Sequence, residues 1–186
     1  MARSSTFERV EIRGDTAALK FLGFFNSKKI KQAIEKSKKK AAVSGADYAL
    51  KRLKKHLYLP ENAIKSAIKI TDSGLEVAGI PPQVRIGKAG ISGGRVYYAG
   101  RRGLTGGIDV RIRKDKGNYE KFRHAFIIRG GAYIRWRKGA KLSRMRGASV
   151  PSAFLNSPQT FGAVNIHMNR KFYSNLLLEI PLSLIR

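Results

Sequence analysis

Two hydrophobic periods divide the chain, and few folds accept both. Between Ser27 and Leu57 the apolar residues Ile30, Ile34, Ala41, Ala49, Leu53 and Leu57 recur mostly at spacings of three, four or their multiples, with lysines on the other faces. That is the signature of a helix buried along one stripe, and Gly45 is a candidate bend within it. From "LEVAGI" onward the period falls to two. In "GIDVRIRK" the apolar Ile108, Val110 and Ile112 alternate with Asp109, Arg111 and Arg113, and in "AYIRWRK" Ala132, Ile134 and Trp136 alternate with Tyr133, Arg135 and Arg137. Half-buried strands with arginine outside follow from that alternation. After Ser157 and Pro158 the helical period returns, with Phe161, Val164, Met168, Phe172 and Leu176 as one stripe that reads as core.

Punctuation fills in the rest. "FERVEIRG" reads as a short strand closed by Gly14, and Asp15 caps a short helix over "TAALKFLGFF". Pro60 is placed as a first helical residue with Glu61 near the positive end of the dipole, so a third helix is expected over about 60 to 70. "GKAGISGG" and "GRRGLTGG" predict mobile loops or long hairpins. "KFRHAFIIRGG" predicts one strand turning at Gly130 and Gly131 into "AYIRWRK". The fold class is therefore α+β: N-terminal helices and a C-terminal helix packed on a central, mainly antiparallel and strongly basic β-sheet. It is expected as a single domain over 1–186, with a strand and helices in 1–70, a β-meander with glycine-rich loops in 75–139, and the C-terminal helix in 158–180.

With 186 residues and 42% hydrophobic content the chain can bury a core. Its 38 Lys and Arg against 12 acids give a formal charge of +26. Residues 28–55 hold eleven of these cations, almost all Lys, and residues 85–146 hold eighteen, mostly Arg. Lysine suits a solvated helix face, and arginine suits paired contacts to phosphate or carboxylate. Nucleic acid, an anionic membrane surface and an acidic protein are the partner classes such a charge implies. No window approaches a membrane span, and the opening residues lack the apolar core of a signal peptide, so an intracellular soluble chain is expected. Cysteine is absent, which excludes a disulfide framework and a thiolate metal site. His56, His124 and His167 stand in unlike contexts without metal-ligand spacing, and no phosphate loop or dinucleotide fingerprint is present. No catalytic, cofactor or metal residues are assigned, and the chain is not expected to be an enzyme.

"RGGAYIRW" comes close to the longer signature of the RNA recognition motif, in which strand aromatics stack on bases. Gly131 stands where one ring is needed, and residues 95 to 128 read as strands and glycine loops where that fold requires a helix. The match is accidental.

The order of segments is more specific than any one motif. "VEIRGDTAALKFL", "LPENAIKSAI" followed by "LEVAGIPPQVRIG", "AFIIRGGAYIRWRKGAKLSR" and "VPSAFLN" with the helix after it together resemble the phage minor tail protein Z family. These are tail-completion proteins of long-tailed phages, with head-tail joining and neck proteins as wider relatives. The glycine-rich part from 87 to 107 is more elaborate than that pattern. The resemblance implies a virion component made in the host cytoplasm and placed at the head-proximal end of the tail. There it would form a homo-oligomeric ring, a hexamer by the tail's symmetry, around the DNA channel. Its implied partners are tail terminator or tail-tube proteins and head-tail connector proteins, with non-specific contact to genomic DNA and no membrane. In such a ring Arg111, Arg113, Arg129, Arg135 and Arg137 are the candidate basic residues. They would contact phosphate in the channel, or pair with acidic surfaces of neighbouring virion proteins, or be merely solvated. The reading from another class is a sequence-independent nucleic-acid-binding protein of the ribosome- or nucleoid-associated type.

Overall fold

A computed structural model describes residues 6–12, 28–92, 95–104, 106–114, 119–135 and 140–185. The expected helix over "TAALKFLGFF", the cap at Ser27, and Trp136 with Arg137 lie outside the described residues. The fold is α+β: four helices and eleven strands stand among the described residues.

The first long helix, α1 (Lys28–His56), buries Ile30, Ala33, Ile34, Ala41, Ala42, Gly45, Ala49 and Leu53. These fall on the stripe that the periodicity marks, and the lysines between them stay largely in solvent. Its partner is the C-terminal helix α4 (Pro158–Ile185), which buries Val164, Met168, Phe172 and Leu176. Small residues on α1 bring the two helices close, and the helix runs unbroken through Gly45, so that glycine is a contact and not a bend. A three-stranded antiparallel sheet packs beneath them in the order β1 (Thr6–Glu11), β3 (Gly74–Gly79), β2 (Ile68–Thr71). Its buried residues Val10, Leu75 and Val77 join the helix stripes in one apolar cluster.

Between α1 and β2 the helix expected over about 60 to 70 is short: α2 covers Glu61–Lys65 only. Pro60 is extended (φ −62°, ψ 146°) and caps the helix from outside instead of opening it. The pattern at Ile64, Ala67 and Ile68 suits a helix, but strand pairing wins: Ile68 is opposite Val77, and Ala67 carbonyl accepts from Ala78 N at 2.8 Å. Sheet partners supplied by β3 override a weak local preference.

The second sheet has the order β11 (Ser143–Arg144), β10 (Gly131–Ile134), β4 (Gln83–Ile86), β6 (Arg95–Arg102), β7 (Ile108–Arg111), β8 (Glu120–Phe122). In addition β5 (Gly90–Ser92) pairs with β6, and β9 (Ala125–Ile128) pairs with β10. All pairings are antiparallel except β4 with β6, so the expected meander is interrupted by one parallel pair. Of the glycine-dense segments, Gly90–Ser92 pairs with β6 as β5 and the end of β6 pairs with β7, while residues 93, 94 and 105 lie outside the described residues.

"KFRHAFII" is two strands, broken at Arg123 and His124, because the chain there leaves its pairing with β7 for pairing with β10. Through that step the pairings return to their start: β4, β6, β7, then β8 continuing as β9, then β10 and β4 again. The circuit is completed by the continuous chain at Arg123 and His124 and not by a further ladder, and β5, β8, β9 and β11 each pair on one side only among the described residues. Val84, Tyr98, Ile108, Val110, Ala125, Ala132 and Ile134 fill the interior. Tyr98 is fully buried and donates its hydroxyl to Ala148 carbonyl at 2.8 Å. Burial, with a smaller push from the Glu120 carboxylate, raises its ionisation well above the ordinary phenol range.

The turn between β9 and β10 falls at Arg129 and Gly130, not at the two glycines. Ile128 pairs with Gly131, and both turn residues have positive φ, 46° and 74°. A two-residue hairpin whose strands follow the natural twist needs that conformation at both positions. The short helix α3 (Val150–Leu155) is capped by Ser149, whose hydroxyl accepts from Ser152 N at 3.1 Å. It leads into α4, which extends to Ile185, beyond the expected end at 180.

Candidate functional site

The expected basic residues do not form one ridge. Arg111 closes β7 and is exposed. Arg113 is half-buried and bridges to Leu57 after α1. Arg129 sits in the β9–β10 turn, and Arg135 is exposed just past β10. Arg137 lies outside the described residues. Strand β7 pairs with β6 and β8, and β10 with β4, β9 and β11, so no pairing places Arg111 beside Arg135.

What gathers around Arg111 is a different set. Register places Arg101 of β6 opposite Asp109 of β7, and Asp109 opposite Lys121 of β8. Arg111 shares the outer face with them, since alternate residues of a strand point the same way. Asp109 is buried despite its charge, with its carboxylate 3.4 Å from Arg101 Nε. The Tyr119 ring lies under two guanidiniums, Arg101 at 3.8 Å and Arg111 at 4.3 Å from its centroid. Arg111 also reaches the Tyr58 ring at 5.7 Å, and Lys114 reaches the same ring at 5.5 Å. Each such contact contributes about 0.5–1 kcal/mol at an exposed site.

Lys114 carries the surface onto α1. Its ammonium donates to Lys54 carbonyl at 2.7 Å, and its backbone N donates to His56 carbonyl at 2.8 Å. These are carbonyls at the negative end of the helix dipole, where a cation is favoured. Beside it Tyr48, Lys51, Arg52, Lys54, Lys55 and Lys114 line an open groove of about 820 Å³. Arg52 donates to Tyr48 hydroxyl at 2.8 Å and 3.2 Å. The result is a continuous strip of cations and tyrosines from the last turns of α1 across the outer face of β7, β6 and β8.

The sequence offered no direct sign of this strip. Tyr58, Arg101, Lys114 and the pair Tyr119 and Lys121 come from four segments, and strand register and the tie between His56 and Lys114 bring them together. Alternation did mark Arg111 as outward.

The histidines are dispersed. His56 ends α1, His124 is exposed in the β8–β9 turn, and His167 of α4 stacks on Tyr48 at 4.5 Å with Ser44 Oγ 2.9 Å from its Nε2. Burial and then the Lys171 charge lower the His167 pKa below its ordinary value. Among the described residues no group of three or more His, Asp or Glu is placed to hold a metal ion, and no helix is long and apolar enough to cross a membrane. A second concavity of about 430 Å³ lies between the two sheets, lined by Ala67, Ile80, Pro81, Pro82, Gln83 and Val96, with Lys69, Arg95 and Arg146 also contributing. Compared with protein-family models, curated proteins and solved structures, the chain gives no significant match.

Proposed function

We propose that the chain is a phage virion structural protein, a tail-completion or neck subunit that caps the head-proximal end of the tail and enables joining to the head. It acts without chemistry of its own, as one member of a ring, a hexamer by tail symmetry, around the DNA channel. The reading rests on the ordered resemblance of four segments to the minor tail protein Z family. In the fold the described parts of those segments are the end of β1, α2 with β2 to β4, the β9–β10 hairpin with β11, and α3 with α4, while 13–22 and 136–139 lie outside the described residues.

One structural observation adds support. The distal part of α4 presents Tyr173, Leu177 and Leu178 to solvent, with Leu177 74% and Leu178 66% exposed. Large apolar side chains grouped on one exposed helix end are costly in an isolated subunit and suit a surface that is covered on assembly. Mixing the purified protein with tails that lack it tests the proposal: a tail-completion subunit binds one end of the tail and makes it competent to join heads.

The alternative, a sequence-independent nucleic-acid-binding protein, is favoured by the cation and tyrosine strip. A monomer that stays off tails and binds DNA or RNA tightly would decide for it.

A further inference from the structure

We infer that the strip running from Lys51, Lys54 and Lys55 through Lys114, Arg111 and Arg101 to Lys121 is a binding track for the phosphate backbone of duplex DNA. The inference rests on reading the outer face of the second sheet as the chain's contact surface for DNA or an acidic neighbour, and it chooses DNA.

Three observations carry that choice. First, the cations are crowded without matching acids. Among the described residues the carboxylates near the strip are Asp47, Glu61, Asp109 and Glu120, fewer than its cations, and of these Glu61 pairs with Lys54 and Asp109 with Arg101. A ligand with closely and regularly spaced charge relieves this crowding best, and duplex DNA carries one negative charge per about 1.7 Å of its axis.

Second, the tyrosines are engaged by cations. Tyr119 lies against Arg101 and Arg111, and Tyr58 against Arg111 and Lys114. Rings held this way fix the direction of the guanidiniums and are less available as platforms for unstacked bases. That favours a paired duplex met at its backbone over a single strand met by stacking.

Third, the strip is anchored at two points along it. The carbonyls of Lys54 and His56 hold Lys114, and the buried Asp109 holds Arg101, so part of the ordering cost of binding is already met. Contact would be independent of base sequence, as passage or packaging of a genome requires.

The test measures affinity for a duplex DNA of mixed sequence against salt. The comparison is between the full chain, R111Q/K114Q/K121Q, and a control on the far end of α1, K28Q/K29Q/K31Q. Arg101 is left in place so that Asp109 keeps its partner. Each lost phosphate contact lowers the log-log salt slope by about 0.9. The strip variant should therefore lose nearly three units of slope and about a hundredfold in affinity at 0.15 M salt, and the control less than one unit.

On the unaltered protein, saturating duplex should protect Lys114 and Lys121 from an amine-reactive acetylating reagent while Lys28 and Lys29 remain labelled. This arm holds even if the variant folds poorly. Equal slopes for the strip variant and the full chain, or undiminished labelling of Lys114 and Lys121, overturn the inference. So does poly-glutamate binding as tightly as duplex at equal charge, which would point to an acidic protein. Binding to tails is scored separately on the same variants, so a failed DNA track leaves the neck proposal standing, and a failed neck proposal leaves the track.

Discussion

Gly45 of α1 lies directly against Met168 of α4: a Cβ on Gly45 would come within 2.3 Å of Met168 Cγ and 2.6 Å of its sulfur. The contact sits in the middle of both long helices and sets how closely they approach. In an isolated helix Gly45→Ala would gain about 1 kcal/mol. Here overpacking dominates, and the substitution is expected to destabilise by about 1–3 kcal/mol in denaturant unfolding. Adding Met168→Ala should recover part of the clash, so the double variant is more stable than the sum of the two single changes. Additivity would show that the helices are not in the stated contact.

Asp109 and Arg101 form an unequal pair, because the Asp109 side chain is 6% exposed and that of Arg101 53%. Removing the arginine strands a buried carboxylate, whereas neutralising the aspartate leaves the arginine in water. Arg101→Gln is therefore expected to cost about 1–3 kcal/mol, and Asp109→Asn less. Thermal unfolding of the two variants side by side reads the difference, and the reverse order would mean that Arg101 is not what compensates Asp109.

At the β9–β10 turn, Arg129 holds a positive φ of 46° that suits glycine or asparagine better. Arg129→Gly should stabilise by up to about 1 kcal/mol, and Gly130→Ala should destabilise by about 1–2 kcal/mol. Arg129 is a turn residue outside the ring contacts of Tyr58 and Tyr119, so Arg129→Gly is also expected to leave the slope of DNA binding against salt within about one unit. A larger loss would return this residue to the functional surface.

His167 gives the chain a pH dependence of known sign. Its folded pKa lies below the ordinary 6.5, chiefly through burial and then through Lys171. As pH falls below 6.5 the unfolded chain takes up a proton that the folded chain resists, so stability falls with pH across that window. Glu61 and Glu179, paired with Lys54 and Lys40, have lowered pKa values and contribute only at lower pH, where stability is lost as they protonate. Denaturant midpoints between pH 7 and 5.5 should therefore fall in the native sequence and fall less in His167→Gln. Parallel curves would show that His167 titrates alike in both states.

Much of the helical half was legible because burial there follows a single period. Ile30, Ile34, Ala41, Ala49 and Leu53 on α1, and Val164, Met168, Phe172 and Leu176 on α4, are the residues that spacing alone places inward. Strands were legible as alternation, as with Ile108 and Val110, but their partners were not. Nothing local says that β4 lies parallel to β6, or that Arg123 and His124 carry the chain from one neighbour to another. Ala67 and Ile68 mislead for the same reason, since a short apolar run fits a helix until β3 claims it. The candidate site depended most on this missing information. Arg111 could be read as outward, yet its neighbours Tyr58, Arg101 and Tyr119 are set by register and by the end of α1.

The most direct test of the neck proposal is electron microscopy of the purified protein mixed with tails that lack it, beside its mass in solution. A tail-completion subunit should appear as a ring at one end of the tail, the end that then joins heads, with copies matching the tail's symmetry. Tails left bare, or decorated along their length, by a protein that stays monomeric and binds DNA in solution would contradict it.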